Sequence, residues 1–329
     1  MMPAEFITKL NFKKQPEKSS AHFFAPTNIA LIKYWGKRDS GLNLPVTSSL
    51  SVTLPRHGTI TTLTLSDAAS DQLILNGKSI AETTSFYQKT KDFINLFRYH
   101  DEAFIIETKN NIPTAAGLAS SASGFAALTL ALNDIYQWHL SLSQCSLLAR
   151  MGSGSACRSF WNGFVYWEKG NASDGHDSYA MPLSDSWPNL CIGLNLISSI
   201  EKPISSRDAM NLTVATSPFY SQWPALVEEN LANITTAIHQ KDFLKFGQLA
   251  ESNAIAMHAT MQTAWPPIYY STDKTFIEMQ KVWALRQNNI PVFFTQDAGA
   301  NLKLIFLKTH EKIILESFPD LEITYIFEG

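Results

Sequence analysis

Two periods of apolar residues alternate along this chain. "LSVTL" (Leu50–Leu54) and "ITTLTL" (Ile60–Leu65) alternate every second position, and the "RHG" between them can turn, so the pair predicts a hairpin. "DQLILNGKSI" predicts another strand, ended by the turn dipeptide Asn76-Gly77. Phe86, Thr90, Phe93, Ile94 and Phe97 recur at helical spacing, which predicts an amphipathic helix over about 82–99. After the short strand "AFIIET", the positions from Ser121 to about His139 are nearly all apolar, and a helix apolar on every face belongs at the centre of a domain. Ser143 can cap a further short helix, and "GFVYWEKG" returns to strand. A polar, turn-rich stretch from Gly170 to Pro188 leads to the strand "LCIGLNLI" and to helical patterns near 222–239, 242–262 and 274–288. "VFFTQ" and "LKLIFL" read as strands, followed by a helix near 309–317 and a last strand, "EITYIF". This interleaving predicts an α+β fold rather than a doubly wound sheet. It divides into a polar extension over 1–20, one domain over 21–188 and a second over 189–329.

Composition narrows the class. Apolar residues make up 45% of the 329 positions and charged ones 17%, enough for a sizeable core and too many for one small domain. With 26 basic and 29 acidic residues the formal charge is −3, so no global field holds nucleic acid and no polybasic block marks a membrane surface. Any anionic ligand must be met by a local cluster of positive charge. The N-terminal residues carry no long apolar run of the signal-peptide kind, and no stretch approaches the roughly 20 apolar residues of a membrane span. Cys145, Cys157 and Cys191 are odd in number and share no CxxC spacing, which disfavours a disulfide framework or zinc site and points to a reducing cytoplasm. The eight histidines show no paired metal-ligand spacing.

Chemistry concentrates in three segments. In "NNIPTAAGLASSASGF" (Asn110 to Phe125), Pro113 sets the start of a loop and Gly117 admits backbone angles closed to other residues. Ser120 and Ser121 fall at the helix start, where unpaired N–H groups and the helix dipole favour an anion such as phosphate. The segment is neither GxxxxGK[ST] nor GxGxxG, and a well-capped core helix packed close to a sheet would use the same small residues. "GSGSACRS" (Gly152 to Ser159) is a second cluster of small residues, with Ser153, Ser155 and the planar fork of Arg158 available to a carboxylate or phosphate; the alternative is a tight turn before a strand. "NIALIKYWGKRDS" sets Lys33, Lys37 and Arg38 among apolar residues beside Tyr34 and Trp35, a setting that surface lysines also share.

Taken together with "KPISSRDAM", "MHATMQTAWPPIYY" and "FTQDAGANLKLI", these segments stand in the order of the diphosphomevalonate decarboxylases, and from about residue 23 onward the chain resembles that family of the GHMP small-molecule kinase superfamily. The resemblance implies a GHMP-kinase-like two-domain α+β fold, with an N-terminal domain of the ribosomal-protein type, a ferredoxin-like C-terminal domain and a cleft between them. It implies an enzyme that uses ATP and Mg²⁺ to phosphorylate the C3 hydroxyl of mevalonate 5-diphosphate and then releases phosphate and CO₂. Residue by residue, it sets Asn110, Pro113, Gly117, Leu118, Ala119, Ser120 and Ser121 around the ATP phosphates, with Ser120 or Ser121 as the candidate to reach Mg²⁺. Tyr34, Lys37, Ser153, Ser155, Ser206 and Arg207 would hold the diphosphate end, Arg158 would hold the C1 carboxylate or orient the reacting group, and Asp297 would face the C3 hydroxyl with Lys33 in support. A homodimer is also implied. Three positions depart from the family pattern: Ala209 and Ala300, where Gly and Pro are usual, and Tyr270, where Trp is common.

Overall fold

The computed structural model describes residues 5, 7, 14–111, 120–200 and 202–327, with Ser120 described in its backbone only. The strands of the N-terminal half are β1 (Ser20–Ile32), β2 (Lys37–Asp39), β3 (Leu44–Pro45), β4 (Ser49–Ser66), β5 (Gln72–Leu75), β6 (Lys78–Ser79), β7 (Ala103–Asn110), β8 (Phe164–Trp167) and β9 (Ala180–Pro182). Its helices are α1 (Ser85–Asn95), α2 (Ser120–Ile135) and α3 (Leu142–Gly152). The expected hairpin over residues 50–65 does not form. Instead β4 runs straight through "RHG" and pairs antiparallel with β1 along nearly its whole length. The register jumps from Pro26 opposite Gly58 to Thr27 opposite Leu54, so Pro55, Arg56 and His57 bulge out where a turn was read. Gly58 is needed there because a β-carbon would lie 2.1 Å from the Ala25 carbonyl oxygen.

On its other edge β4 pairs with β8 through its first residues and with β7 through its last, which builds a sheet ordered β6-β5-β7-β4-β8-β9. The Asn76-Gly77 turn forms as read, with positive φ at both residues (51° and 78°), and it joins β5 and β6 in a hairpin. α2 packs against β1 and β4, and α1 and α3 close the same core around Phe93, Phe104, Leu128 and Tyr136. α3 is capped by Ser141, not Ser143, because only Ser141 has a glutamine three residues on, and Gln144 completes a reciprocal capping box. The extension is partly tied down: Ile7 is fully buried, and the Glu17 N–H donates to the Ile135 carbonyl at the end of α2.

The C-terminal half holds β10 (Leu190–Asn195), α4 (Ser206–Thr216), α5 (Trp223–Gln240), α6 (Phe243–Gln262), α7 (Asp273–Gln287), β11 (Val292–Gln296), β12 (Leu302–Leu307), α8 (Glu311–Ser317) and β13 (Glu322–Tyr325). Its antiparallel sheet, ordered β11-β12-β10-β13, has the ferredoxin-like arrangement of a split β-α-β unit. One face packs beneath α7 and α8 through Val292, Phe294, Leu304 and Ile314. The opposite face, with Ile192, Phe293 and Ile305, shares a core with α5, α6 and the N-terminal residues Ile29, Leu31, Leu50 and Val52. α6 touches both β11 and β1, so the end of β1 and the turn after β11 face each other across one continuous core.

Candidate active site

The centre of the site is the turn from β11 to β12. Thr295 and Asp297 project from the same face, as alternate residues must, and register sets Lys303 opposite Thr295, so all three side chains share that face. Facing them is the end of β1, where a bulge between Ala30 and Ile32 redirects the chain. The Ala30 carbonyl accepts from the Lys33 Nζ at 2.8 Å and from the Thr295 hydroxyl at 3.3 Å. Lys33 Nζ then donates to Asp297 Oδ1 at 2.8 Å, while Lys303 Nζ lies 3.2 Å from Oδ2. Both lysines are almost wholly buried, and about a third of the Asp297 side chain remains open, at 31%.

Electrostatics follow from this packing. Burial works against the charge of Asp297, but the ammonium groups of Lys33 and Lys303 outweigh it and hold the carboxyl below the usual carboxylate range. Burial pushes Lys33 down to about 8, with the Asp297 carboxylate opposing that shift. His258 of α6, pushed down to about 4 chiefly by burial, is neutral at pH 7. Its Nε2 lies 3.1 Å from the Asp297 carbonyl oxygen, which can only accept, so Nε2 carries the proton and pins the turn. Asn253, one helical turn earlier, accepts from the Lys33 backbone N–H at 2.8 Å.

Arg158 comes from the short 3₁₀ turn Gly154–Arg158 and is buried. It donates to Ser49 Oγ at 2.6 Å and Asn28 Oδ1 at 3.3 Å, and lies over the Trp167 ring at 5.6 Å; its charge also acts on Asp297 and Lys33. Tyr34 packs edge-on against Trp167, and its buried hydroxyl has no hydrogen-bond partner among the described residues. Gly154 must be glycine because a β-carbon would lie 2.8 Å from that tyrosine ring. Lys37 Nζ donates to Asn43 Oδ1 at 2.6 Å, and burial followed by the nearby charge of Arg207 pushes Lys37 down to about 8. Ser206 and Arg207 open α4, and Lys202 Nζ reaches Ser206 Oγ at 2.9 Å and the Ala298 carbonyl at 3.3 Å. Ser153 Oγ sits 3.4 Å from both Ser121 Oγ and Ser155 Oγ, forming a row of hydroxyls from the start of α2 to the Arg158 turn.

Pro113, Gly117, Leu118 and Ala119 lie outside the described residues, and Ser120 is described only as the first residue of α2. Beside that helix start lies a mainly apolar cavity of about 110 Å³, lined by Leu73, Phe86, Thr90, Ile106, Phe125 and Leu128 together with Asn110 and Ser121. Among the described residues no His, Cys, Asp and Glu cluster could hold a metal ion by itself. Sequence reasoning missed Lys202 and Lys303. A lysine inside the otherwise apolar strand "LKLIFL" was the available signal for Lys303, since a buried ammonium needs a counter-charge. Of the departures, the Ala209 methyl is fully buried in the core, and the Tyr270 hydroxyl donates to the Ile204 carbonyl at 3.0 Å.

A split ferredoxin-like sheet sharing a core with a long-stranded N-terminal sheet, together with a carboxylate ringed by cations, places the molecule among the GHMP-kinase-like enzymes. Within that class the match is narrower. The model of the diphosphomevalonate decarboxylase-like N-terminal domain covers residues 25–180, and that of the mevalonate 5-diphosphate decarboxylase C-terminal domain covers residues 193–322. The chain is 39% identical over 314 residues to the diphosphomevalonate decarboxylase of Aspergillus fumigatus, spanning 88% of this chain and 77% of the relative. The crystal structure of mevalonate diphosphate decarboxylase from Staphylococcus aureus superposes with a TM-score of 0.88 at 37% identity, covering 94% of this chain and 96% of that one. A structure of MDDEF in complex with MVAPP, AMPPCP and magnesium gives 0.87 at 40% identity, covering 93% and 96%. The chain belongs to the diphosphomevalonate decarboxylase family.

Proposed function

We propose that this chain decarboxylates mevalonate 5-diphosphate to isopentenyl diphosphate in an ATP-dependent reaction. The observation that carries the site assignment is the Asp297 carboxylate, one-third open, held between Lys33 and Lys303 and within reach of the charges of Arg158 and Lys202. The residues fit the two anionic reactants. The unpartnered Tyr34 hydroxyl, with Lys37 and Arg207 sharing one field, suits a diphosphate, with Ser153, Ser155 and Ser206 supplying hydroxyl contacts. The cavity beside α2 suits a nucleotide base, with Asn110 and Ser121 toward its sugar and phosphates. ATP with Mg²⁺ supplies the phosphoryl group.

Asp297 acts mainly by position. Its lowered pKa makes it a weak base, but phosphoryl transfer passes through a loose transition state in which the attacking hydroxyl becomes acidic late. A fixed carboxylate orients that hydroxyl early and accepts its proton as the new O–P bond forms and the bond from the γ-phosphorus to the departing ADP breaks. The C3 phosphate then leaves with the C–O electron pair, and the C–C bond to the carboxylate supplies the pair for the new double bond as CO₂ departs. Arg158, braced by Ser49 and Asn28, holds the carboxylate in line; too strong a grip would oppose CO₂ loss, since only contacts strengthened in the transition state add rate.

The same reading proposes a homodimer, checked by light scattering. It also proposes the cytoplasm, in keeping with three free, buried cysteines. The deciding assay offers ATP and Mg²⁺ with mevalonate, its 5-phosphate or its 5-diphosphate in parallel, and follows ADP, phosphate and CO₂. Equal amounts of all three products from the diphosphate are expected. ADP without CO₂ would make this a kinase, and thermal stabilisation without ADP a binding protein.

A further inference from the structure

β12 is buried along most of its length, and Leu302, Leu304 and Phe306 fill the core under α7 and α8 on one face. The other face offers Ile305 to the central core and, two residues earlier, Lys303 with 3% of its side chain exposed. Placing an ammonium inside a sheet costs several kcal/mol unless a counter-charge meets it. The carboxylate it meets is that of Asp297, across the hairpin, at 3.2 Å from Oδ2, the oxygen that Lys33 leaves free. Two buried lysines from different halves of the chain thus each take one oxygen of a carboxylate that stays about one-third open.

We infer that Lys303 is a positioning residue for the reaction, fixing the plane of the Asp297 carboxylate through Oδ2 so that Oδ1, shared with Lys33, is presented to the substrate hydroxyl at one angle. The inference rests on the functional reading above. Lys33 alone would leave the carboxylate free to rotate about its Cβ–Cγ bond, and near-attack geometry is lost with small angular errors. Lys303 has a second effect of predictable sign. The charged or titratable groups around Asp297 are Lys33 after β1, Lys303 on β12, Lys202 before α4, Arg158 in the 3₁₀ turn and His258 on α6. Removing one of these cations raises the pKa of the carboxyl, so protonation begins at higher pH.

The test is Lys303→Met, close to lysine in length and uncharged, with Lys303→Gln as the second variant should the first fail to give a cooperative melt. Expected is a roughly ten- to hundredfold fall in kcat with KM for ATP and for mevalonate diphosphate within about twofold. The acid limb of the kcat–pH profile should move to higher pH by about one unit. In an Asp297→Asn background the same change should cost nothing further, because its target is gone. A variant that melts differently but keeps kcat within about twofold and a superimposed pH profile would reduce Lys303 to a structural counter-ion and overturn the inference. An NMR titration of the Asp297 carboxylate in wild type and variant reads the upward shift without turnover. An inactive wild type would therefore remove the functional reading, while an unshifted carboxylate would remove this one.

Discussion

Asp297 shows how little a catalytic carboxylate needs to be a strong base. Its neighbours are cationic, so at neutral pH it is fully ionised, and in the proposed role its contribution is a fixed oxygen beside the substrate hydroxyl. Asp297→Asn keeps the shape and removes the acceptor, so turnover should fall about a thousandfold, measured as ADP release under saturating substrates. It should also lower the melting temperature, because Lys33 is left buried without its counter-charge. Unchanged turnover in a folded Asp297→Asn protein would end the assignment. Arg158→Lys retains the charge and loses the fork that reaches Ser49 and Asn28 together. A fall of about a hundredfold in CO₂ release is expected, and near-normal release would free Arg158 from its role.

At the scale of elements, what could be read from the chain was what repeats locally. The helices at 222–239, 242–262 and 274–288 were read within a residue or two of α5, α6 and α7, because each shows one apolar face between clear ends. β1 escaped because its second half is buried on both faces and its "APT" looks like a turn, whereas Pro26 actually sits at the bulge. The same bulge disguised β4 as two strands. α4 went unread because "SSRDAM" drew attention for its charge, although Ser205 caps it through the Asp208 N–H. The family motifs pointed to Lys33, Arg158 and Asp297, which the fold brings within reach of one another's charge, but Lys303 depends on a hairpin register that no local pattern specifies. Another nonlocal tie is Glu251 of α6, buried and bonded by Arg286 through both oxygens at 2.7 Å, by the Trp283 indole at 2.9 Å and by the Phe294 N–H at 3.2 Å. It fastens α6 to α7 and β11. Glu251→Ala should cost about 3 kcal/mol, seen as a lower urea midpoint, since three donors lose their acceptor at once. A midpoint unchanged within error would show the tie to be dispensable.

For the whole molecule, a net charge of −3 coexists with a local gathering of cations, Lys37 with Arg207 and Lys202 with Lys303, where the proposed reading puts two polyanions. That gathering has a consequence for pH. Burial, and then repulsion from Arg207, hold Lys37 at about 8, so in the empty protein it loses its charge as pH rises through that value. A bound diphosphate favours the charged form and raises that pKa, so substrate binding should draw a proton from solution near and above pH 8. The affinity for mevalonate diphosphate should accordingly fall as pH rises past 8. Below about pH 7, where Lys37 is already charged, this group should add no further dependence. Calorimetric titrations at pH 7 and pH 8.5, each in two buffers of different ionisation enthalpy, separate the proton taken up from the heat of binding. Lys33 is also held near 8 and can contribute, so Lys37→Met is the control that isolates this group. That variant should bind roughly tenfold more weakly at pH 7 and lose most of the extra proton uptake at pH 8.5. Equal apparent enthalpies in the two buffers at pH 8.5 for the wild type would mean that Lys37 does not meet the diphosphate.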